Sequence, residues 1–221
     1  MSRHLMLVHG AWHGAWAWEA VAPLLTEQGF TVHTVDLPSS GDLGDLRADA
    51  AVVRAAASAI DEPVTLVGHS YGGMAITEAS ASLDNVDHLV YVAAFLLPEG
   101  LSVLQAVGGT PPPWWVIDAD RRTVEVADPV AVFYHDCPPE VAGRVGKQSL
   151  DSFEQPLSGA GWTKIPSTYV LCEHDAAIPP FAQEEMAKAA GATVRMPTGH
   201  SPFFADPAGL TRHLAAIAAT A

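Results

Sequence analysis

Gly68-His69-Ser70-Tyr71-Gly72 is the most informative motif of this chain. It follows a strand-like apolar run, residues 64–67, and precedes a helix-like run, residues 74–79. A G-x-S-x-G pattern between a strand and a helix is typical of a sharp turn that exposes the serine hydroxyl at the end of the strand. Glycines flank such a turn because a Cβ atom would clash there. The pattern predicts Ser70 as a nucleophile.

Short apolar runs alternate with helical patterns along the chain, which is typical of a mostly parallel sheet covered by helices. The predicted strands span residues 4–9, 31–36, 64–69, 88–94, 167–172 and 192–196. The predicted helices span residues 15–28, 45–60, 71–82, 180–190 and 207–219. The sequence therefore predicts a single α/β domain over residues 1–221.

Residues 98–164 interrupt this alternation and are rich in large apolar side chains. In order, they contain a Pro-Pro-Pro-Trp-Trp run at 111–115, a hairpin-like stretch at 116–126, a helix start at 128–129 and a second helical pattern near 139–150. Long loops without structure are uncommon in compact domains. We therefore expect a small cap inserted into a core of residues 1–97 and 165–221. A loose surface loop is the alternative.

A serine hydroxyl needs a base within hydrogen-bonding distance to act as a nucleophile. On a sheet of this kind, the acid and the histidine follow the serine along the chain. Asp175 lies just past the fifth predicted strand, and His200 follows the last one. Because parallel strands end at one edge of the sheet, we predict a triad of Ser70, His200 and Asp175. Asp175 as a helix cap, Glu173 as the acid and His200 as a structural histidine are the alternatives.

The segment His9-Gly10-Ala11-Trp12-His13-Gly14 follows the first predicted strand. Acyl transfer creates an oxyanion, which two convergent N–H groups stabilise. We predict the backbone N–H groups of Ala11 and Tyr71 in that role. His9 and His13 are expected to brace the loop rather than to act as the base.

Large aromatic side chains are candidates for the walls of a substrate pocket, and ordinary core packing is the alternative for each of them. The candidates are Trp12, Phe95, Trp114, Trp115, Phe133 and Trp162. The sequence has neither the ligand spacing of a metal site nor a phosphate-binding loop. We therefore expect no metal and no cofactor.

The chain has 221 residues and a formal charge of −14. Nucleic acids and anionic membranes both need a basic partner surface, so neither is expected as a partner. Two cysteines do not make a disulfide framework, and no signal peptide or apolar run of membrane-spanning length is found. The expected location is cytoplasmic, and the sequence is compatible with a homodimer.

These motifs resemble the α/β-hydrolases and, within them, the plant methyl esterase and hydroxynitrile lyase family with its bacterial esterase relatives. The matching stretches are HGAWHGAW at 9–16, DLPSSG at 36–41, GHSYGGM at 68–74, AAFLLP at 93–98, CEHDAAIP at 172–179 and GHSPFF at 199–204. The resemblance implies an α/β-hydrolase fold. It also implies Ser70 as nucleophile, His200 as base and Asp175 as acid, with Ala11 and Tyr71 as oxyanion donors.

Two departures from the family favour an esterase over a lyase. Lyase members carry a threonine at the position of Ala11 and a lysine at the position of Ser201. The expected activity is hydrolysis of a small, neutral, rather apolar carboxylic ester through an acyl-enzyme. The alternatives are a hydroxynitrile lyase, a thioesterase, amidase or cyclising enzyme on the same scaffold, and a non-catalytic receptor for a small ligand.

Overall fold

A computed structural model describes residues 4–41 and 43–220 of the chain. The strands of its central sheet are β1 His4–Val8, β2 Thr31–Val35, β3 Val64–His69, β4 Val86–Val92, β8 Ser167–Cys172 and β9 Ala192–Met196. In this part of the chain they lie in the order β2-β1-β3-β4-β8-β9, and each neighbouring pair is parallel. The predicted α/β fold is confirmed and all six predicted strands form. The fourth strand spans residues 86–92 rather than the predicted 88–94, because Ala93 has a φ angle of 43°, outside the β region.

The strand side chains alternate between two apolar clusters. Met6 and Leu66 belong to one cluster, whereas their neighbours Leu5 and Val67 belong to the other. Successive side chains of a strand point to opposite faces of the sheet. Both faces are therefore covered, which is why these strands read as nearly continuous apolar runs.

Helices cover these two faces. The helices of the core are α1 Ala22–Glu27, α2 Leu46–Ser58, α3 Gly72–Ser80, α7 Pro180–Ala187, α8 Pro202–Ala205 and α9 Pro207–Ala218. Buried residues of α2 and α3 join the cluster of Met6, and those of α1 and α9 join the cluster of Leu5. None of the helices in the described part of the chain has the length and apolar character needed to cross a membrane.

The helix predicted over residues 15–28 is wrong in its first half. A short 3-10 helix, Ala15–Trp18, forms there, and α1 begins only at Ala22. Pro23 occupies the first turn of α1. Proline has no backbone N–H to donate and favours the start of a helix over its interior, so the helical pattern is divided at this point.

Residues 98–164, which we call the cap segment, follow β4 and carry a small antiparallel sheet. Its strands are β5 Trp115–Asp118, β6 Thr123–Val126 and β7 Gln148–Ser149. Its helices are α4 Val103–Ala106, α5 Pro129–Phe133 and α6 Leu150–Glu154, with 3-10 turns at Pro139–Arg144 and Gly161–Thr163. The predicted hairpin and the helix start at Asp128 form as expected, since the Asp128 side chain caps α5.

The helix predicted near residues 139–150 is wrong. The 3-10 turn ends at Arg144, and the chain then extends into β7. The Gly146 N–H donates to the carbonyl of Trp12, and Gln148 pairs with Val124 of β6. These backbone bonds to distant residues replace the local bonds that a helix would need.

Candidate active site

Ser70 stands at the turn between β3 and α3, as predicted. Its φ angle is 51°, in the left-handed region that L residues rarely adopt. A Cβ added at Gly68 would lie 2.7 Å from the Gly72 carbonyl oxygen, and one at Gly72 would lie 2.6 Å from the His9 carbonyl oxygen. The turn can therefore form only with glycine at both positions. Ser70 is thereby held at the carboxyl edge of the sheet.

His200 and Asp175 form a buried pair near this turn. Asp175 follows β8 and His200 follows β9, and each residue is at most 5% exposed. The His200 Nδ1–H donates to Asp175 Oδ2 at 2.7 Å. This bond leaves His200 Nε2 as the nitrogen that can accept a proton.

The carboxylate of Asp175 also fixes the loop around it. Its Oδ1 accepts from the backbone N–H groups of Ala177 and Ile178 at 2.7 and 2.9 Å. The carboxylate thus organises the turn that leads into α7 while it bonds His200. Glu173, the alternative acid, is exposed and lies 3.6 Å from the guanidinium of Arg195. The geometry therefore favours Asp175 as the partner of the histidine.

Gln183 on α7 completes the surroundings of the acid. Its side chain is fully buried, and its Nε2 donates to Asp175 Oδ2 at 2.9 Å and to the Ile178 carbonyl at 2.8 Å. Its Oε1 accepts from the Cys172 N–H at 3.0 Å. Sequence reasoning missed this residue, because a single glutamine in a short helix belongs to no motif.

A small cavity brings the predicted residues together. Ser70, His200, Ala11 and Tyr71 all line it, and its volume is about 30 Å³. Among the described residues, neither Ser70 Oγ nor His200 Nε2 has a hydrogen-bond partner, so both remain available to a bound molecule. Catalytic hydrogen bonds are often long before substrate binds.

The two candidate oxyanion donors come from different elements. Tyr71 directly precedes α3, where the unpaired N–H groups of the helix start carry partial positive charge. Ala11 lies in the loop after β1, next to Trp12, whose φ angle is 64°. The Trp12 N–H donates to Gln148 Oε1 at 3.1 Å, and its indole Nε1 donates to the Val124 carbonyl at 2.7 Å. The cap segment thus holds the loop that contains Ala11.

The phenol of Tyr71 is anchored by a buried carboxylate. It donates to Asp49 Oδ2 at 2.6 Å, and Asp49 Oδ1 accepts from the Ser39 N–H at 2.9 Å. Burial raises the pKa of Asp49, and burial, together with the nearby Asp49, raises the pKa of Tyr71 well above its ordinary value. The phenol is therefore neutral at physiological pH and serves as a donor.

Three further histidines surround the site as braces, as expected for His9 and His13. His9 donates through Nδ1 to the Gly10 carbonyl and accepts from the Leu37 N–H. The Nδ1 of His13 donates to the Ala11 carbonyl, while the His69 Nε2 donates to the His200 carbonyl at 2.8 Å. Burial lowers the pKa of each, that of His13 to about 3. All three are neutral supports of the backbone.

The aromatic candidates divide into two groups. The lining of the cavity includes Trp12, Phe95, Trp114, Trp115 and Phe133. Trp162 does not belong to the described lining, because its indole donates to the Leu97 carbonyl at 2.9 Å and its ring packs on the core. Phe153 of α6 also lines the cavity and stacks on Trp115 with ring centroids 4.3 Å apart, which the sequence did not predict.

Within residues 4–41 and 43–220, no cluster of three or more histidine, cysteine, aspartate or glutamate side chains could hold a metal ion. His9 and His13 use both ring nitrogens on backbone or tyrosine groups, whereas His69 uses its Nε2 on a carbonyl and its buried Nδ1 has no partner in the described structure.

The chain is similar to proteins of one family over nearly its whole length. The sequence model of the alpha/beta hydrolase family matches residues 5–212. The alpha/beta hydrolase nvfD of Aspergillus novofumigatus is 31% identical, with 92% of this chain and 91% of that protein covered. Methylesterase 2 of Arabidopsis thaliana is 29% identical, with 98% and 96% covered. The crystal structure of a pyrethroid hydrolase from Sphingobium faniae matches with a TM-score of 0.87 and 25% identity, covering 99% of this chain and 98% of that one.

Proposed function

The chain belongs to the α/β-hydrolase family, and from this membership we propose that it is a serine esterase acting on a small, neutral, rather apolar carboxylic ester. The observation that carries the proposal is the buried 2.7 Å bond between Asp175 and His200 beside the cavity that Ser70 lines. The similarity to the plant methylesterases supports the choice of an ester.

In the first half of the reaction, Ser70 Oγ attacks the ester carbonyl carbon and His200 Nε2 takes the hydroxyl proton. Asp175 keeps the proton of the histidine on Nδ1 and stabilises the imidazolium that forms. The N–H groups of Ala11 and Tyr71 stabilise the negative charge on the carbonyl oxygen. The tetrahedral intermediate collapses, the C–O bond to the alcohol breaks, and His200 donates its proton to the leaving alcohol.

In the second half, water attacks the acyl-enzyme. His200 accepts a proton from the water, and the new tetrahedral intermediate uses the same oxyanion donors. Collapse releases the carboxylic acid and returns the proton to Ser70 Oγ. Because each step uses one histidine that alternates between base and acid, no other proton carrier is required.

The lyase alternative is disfavoured by the residues around the cavity. Ala11 lacks the side-chain hydroxyl of the threonine that lyases carry at this position. Ser201 is uncharged, whereas lyases carry a lysine there. Ser201 is fully buried, and in the described structure its hydroxyl has no hydrogen-bond partner. An amide or thioester substrate would use the same residues, so the leaving group must be tested directly.

The proposal is tested by hydrolysis of short p-nitrophenyl esters by the wild-type protein and by Ser70→Ala. We expect the variant to lose roughly 10⁴-fold or more in kcat while it remains folded. Ser149→Ala is a matched control, because Ser149 is also a buried serine but does not line the cavity. Its turnover should stay close to that of the wild type.

Three results would contradict the proposal. The first is equal ester turnover by Ser70→Ala and the wild type. The second is cyanide release from mandelonitrile without ester turnover, which would indicate a lyase. The third is ligand binding without turnover by folded wild-type protein, which would indicate a receptor.

A further inference from the structure

An open apolar groove lies beside the catalytic cavity, between α4 and α7. Ala106 and Val107 line one side of it, and Phe181 and Met186 line the other. Its volume is about 670 Å³. We call this feature the outer groove. No step of the proposed ester hydrolysis uses it.

The outer groove continues directly from the cavity. Phe95, Val107, Trp114, Ala177 and Ile178 line both spaces. A molecule whose carbonyl lies at Ser70 can therefore reach the groove past a shared wall. This continuity distinguishes the groove from two further surface depressions of the described structure, one at α7 and β9 and one at α1 and α9, whose linings do not include Ser70.

The sizes of the two spaces set different limits on a substrate. The cavity of about 30 Å³ is only a few times the 10–15 Å³ or so that a single water requires. It can hold a small group beside the reacting carbonyl. Any longer part of the ester must lie outside it, and the outer groove is the adjoining space large enough to receive that part.

The chemistry of the walls restricts what the outer groove can bind. The side chain of Phe181 is 71% exposed. Large apolar side chains that are exposed next to a site often contact a ligand or a partner, so Phe181 is a candidate contact for the substrate. Among the described residues of the lining, Glu185 is the only charged one. An apolar chain gains from covering Phe181 and Met186. A carboxylate would lose hydration beside these walls and would find no free cation in the described lining, because the only charged member, Glu185, is already paired with Lys188 at 2.6 Å.

We propose that the outer groove is a second substrate subsite, which binds an elongated, uncharged apolar arm of the ester whose carbonyl lies at Ser70. The proposal rests on the proposed esterase function and extends it. The preferred substrate then has one small end, held in the cavity, and one long apolar end, held between α4 and α7.

The subsite is tested with two series of esters, methyl esters of straight-chain acids and straight-chain alkyl esters of acetic acid. In the series whose variable end enters the groove, kcat/KM should rise about fourfold for each methylene that is buried. Phe181→Ala should raise KM about fivefold for the ten-carbon member of that series, which is methyl decanoate or decyl acetate. It should leave the KM for methyl acetate unchanged. Ala106→Trp should have the same effect by filling the groove.

Val116→Ala is the matched control, because Val116 is an exposed apolar residue of the cap segment outside the groove. It should leave both series unchanged. Chain-length dependence in either series supports the subsite and shows whether the acyl or the alkyl arm occupies it. Values of kcat/KM that do not change with chain length in either series would overturn the subsite. It would also be overturned if Phe181→Ala abolished a dimer of the wild type and left the kinetics unchanged, because the groove would then be an interface between subunits.

A binding experiment separates the subsite from the esterase reaction. Ser70→Ala protein is titrated with methyl decanoate and with decyl acetate, and the intrinsic tryptophan fluorescence, to which Trp114 in the lining of both spaces contributes, reports binding. We expect Phe181→Ala in this background to weaken binding about fivefold. If the wild type hydrolyses no ester but this difference persists, the esterase function fails and the subsite stands. If esters are hydrolysed but the difference is absent for both methyl decanoate and decyl acetate, the subsite fails alone.

Discussion

Ser70 and Trp12 both have left-handed backbone conformations, with φ angles of 51° and 64°. For residues with a side chain, this region costs on the order of 1–2 kcal/mol each. At Ser70 the tight turn between β3 and α3 imposes it. At Trp12 the bonds to Gln148 and Val124 offset the cost. The strain thus falls on the two loops that present the nucleophile and the Ala11 N–H.

Gln183 provides a test of how strongly the acid must be held. Gln183→Leu removes the bond to Asp175 Oδ2 and leaves the Cys172 N–H buried without its acceptor. We expect the free energy of unfolding to fall by about 1–3 kcal/mol. We also expect kcat to fall about tenfold with little change in KM, because Asp175 can then rotate away from His200. Urea unfolding and ester kinetics measure the two effects.

The same substitution at Gln155 is the control for this experiment. Gln155 bonds Asp45 and the Arg47 N–H, which belong to the start of α2 and do not line the cavity. Gln155→Leu should lower stability without lowering kcat. If Gln183→Leu lowers stability and leaves kcat unchanged, Gln183 supports the fold and does not position the acid.

At the scale of elements, the two-residue strand β7 connects the cap segment to the loops of the core. Its Gln148 is fully buried, and its Oε1 accepts from the Trp12 N–H and from Ser40 Oγ. Its Nε2 donates to Ser39 Oγ and to Ser152 Oγ at 2.8 and 2.7 Å. One amide therefore joins two loops of the core to α6 of the cap segment, and all of its hydrogen-bonding capacity is used.

Gln148→Leu should therefore impair the reaction as well as the fold. Without its amide, the Trp12 N–H loses its acceptor, and the loop that carries Ala11 can relax from its strained conformation. We expect kcat to fall about tenfold and KM to change less, because the oxyanion is stabilised mainly in the transition state. Steady-state ester kinetics provide the measurement.

Gln105→Leu is the control within the cap segment, since Gln105 is exposed and caps only the start of α4. Its kcat should match that of the wild type. Equal kcat values for Gln148→Leu and Gln105→Leu would show that the loop keeps its conformation without the amide, contrary to this expectation.

The sequence predicted those elements that depend on neighbouring residues or on a repeated pattern of apolar side chains. Apolar runs gave the strands, and the glycines around Ser70 gave the turn, because each depends on neighbouring residues. Chain order and the positions just after two parallel strands predicted the pair of Asp175 and His200, whereas the geometry was needed to prefer Asp175 over Glu173. In contrast, β7 consists of two residues and owes its structure to Trp12 and Val124, far away in the chain. Gln148 and Gln183 were missed for the same reason, since a buried amide leaves no periodic pattern.

At the scale of the whole molecule, three buried neutral histidines link stability to pH. Burial lowers the pKa of His9, His13 and His69 in the folded protein below the ordinary value of 6.5. In the unfolded chain these side chains take up protons as the pH falls below that value. Their contribution to stability is therefore complete above pH 6.5 and is lost as the pH decreases.

His13→Gln should reduce this pH dependence. The pKa of His13 in the folded protein is about 3, so its imidazole is neutral there at pH 4 to 6 and takes up a proton when the chain unfolds. Glutamine does not titrate, so the variant takes up one proton fewer on unfolding. Between pH 6 and pH 4, the slope of the unfolding free energy against pH should decrease by about 1.4 kcal/mol per pH unit. Urea unfolding at a series of pH values measures the slope. Leu25→Ala, a deletion in the apolar core, should lower stability by about 2–5 kcal/mol with an unchanged slope.

The position of Gln148 limits how far evolution or engineering can exchange parts of this protein. A chimera that receives the cap segment of a relative, with a residue other than glutamine at this position, would keep the nucleophile, base and acid in their loops. It would nevertheless leave the Trp12 N–H without its acceptor and the Ser39 and Ser40 hydroxyls without their partner. Successful grafts are therefore expected to transfer the loops at 9–16 and 36–41 together with the cap, so that the three segments are inherited as one unit.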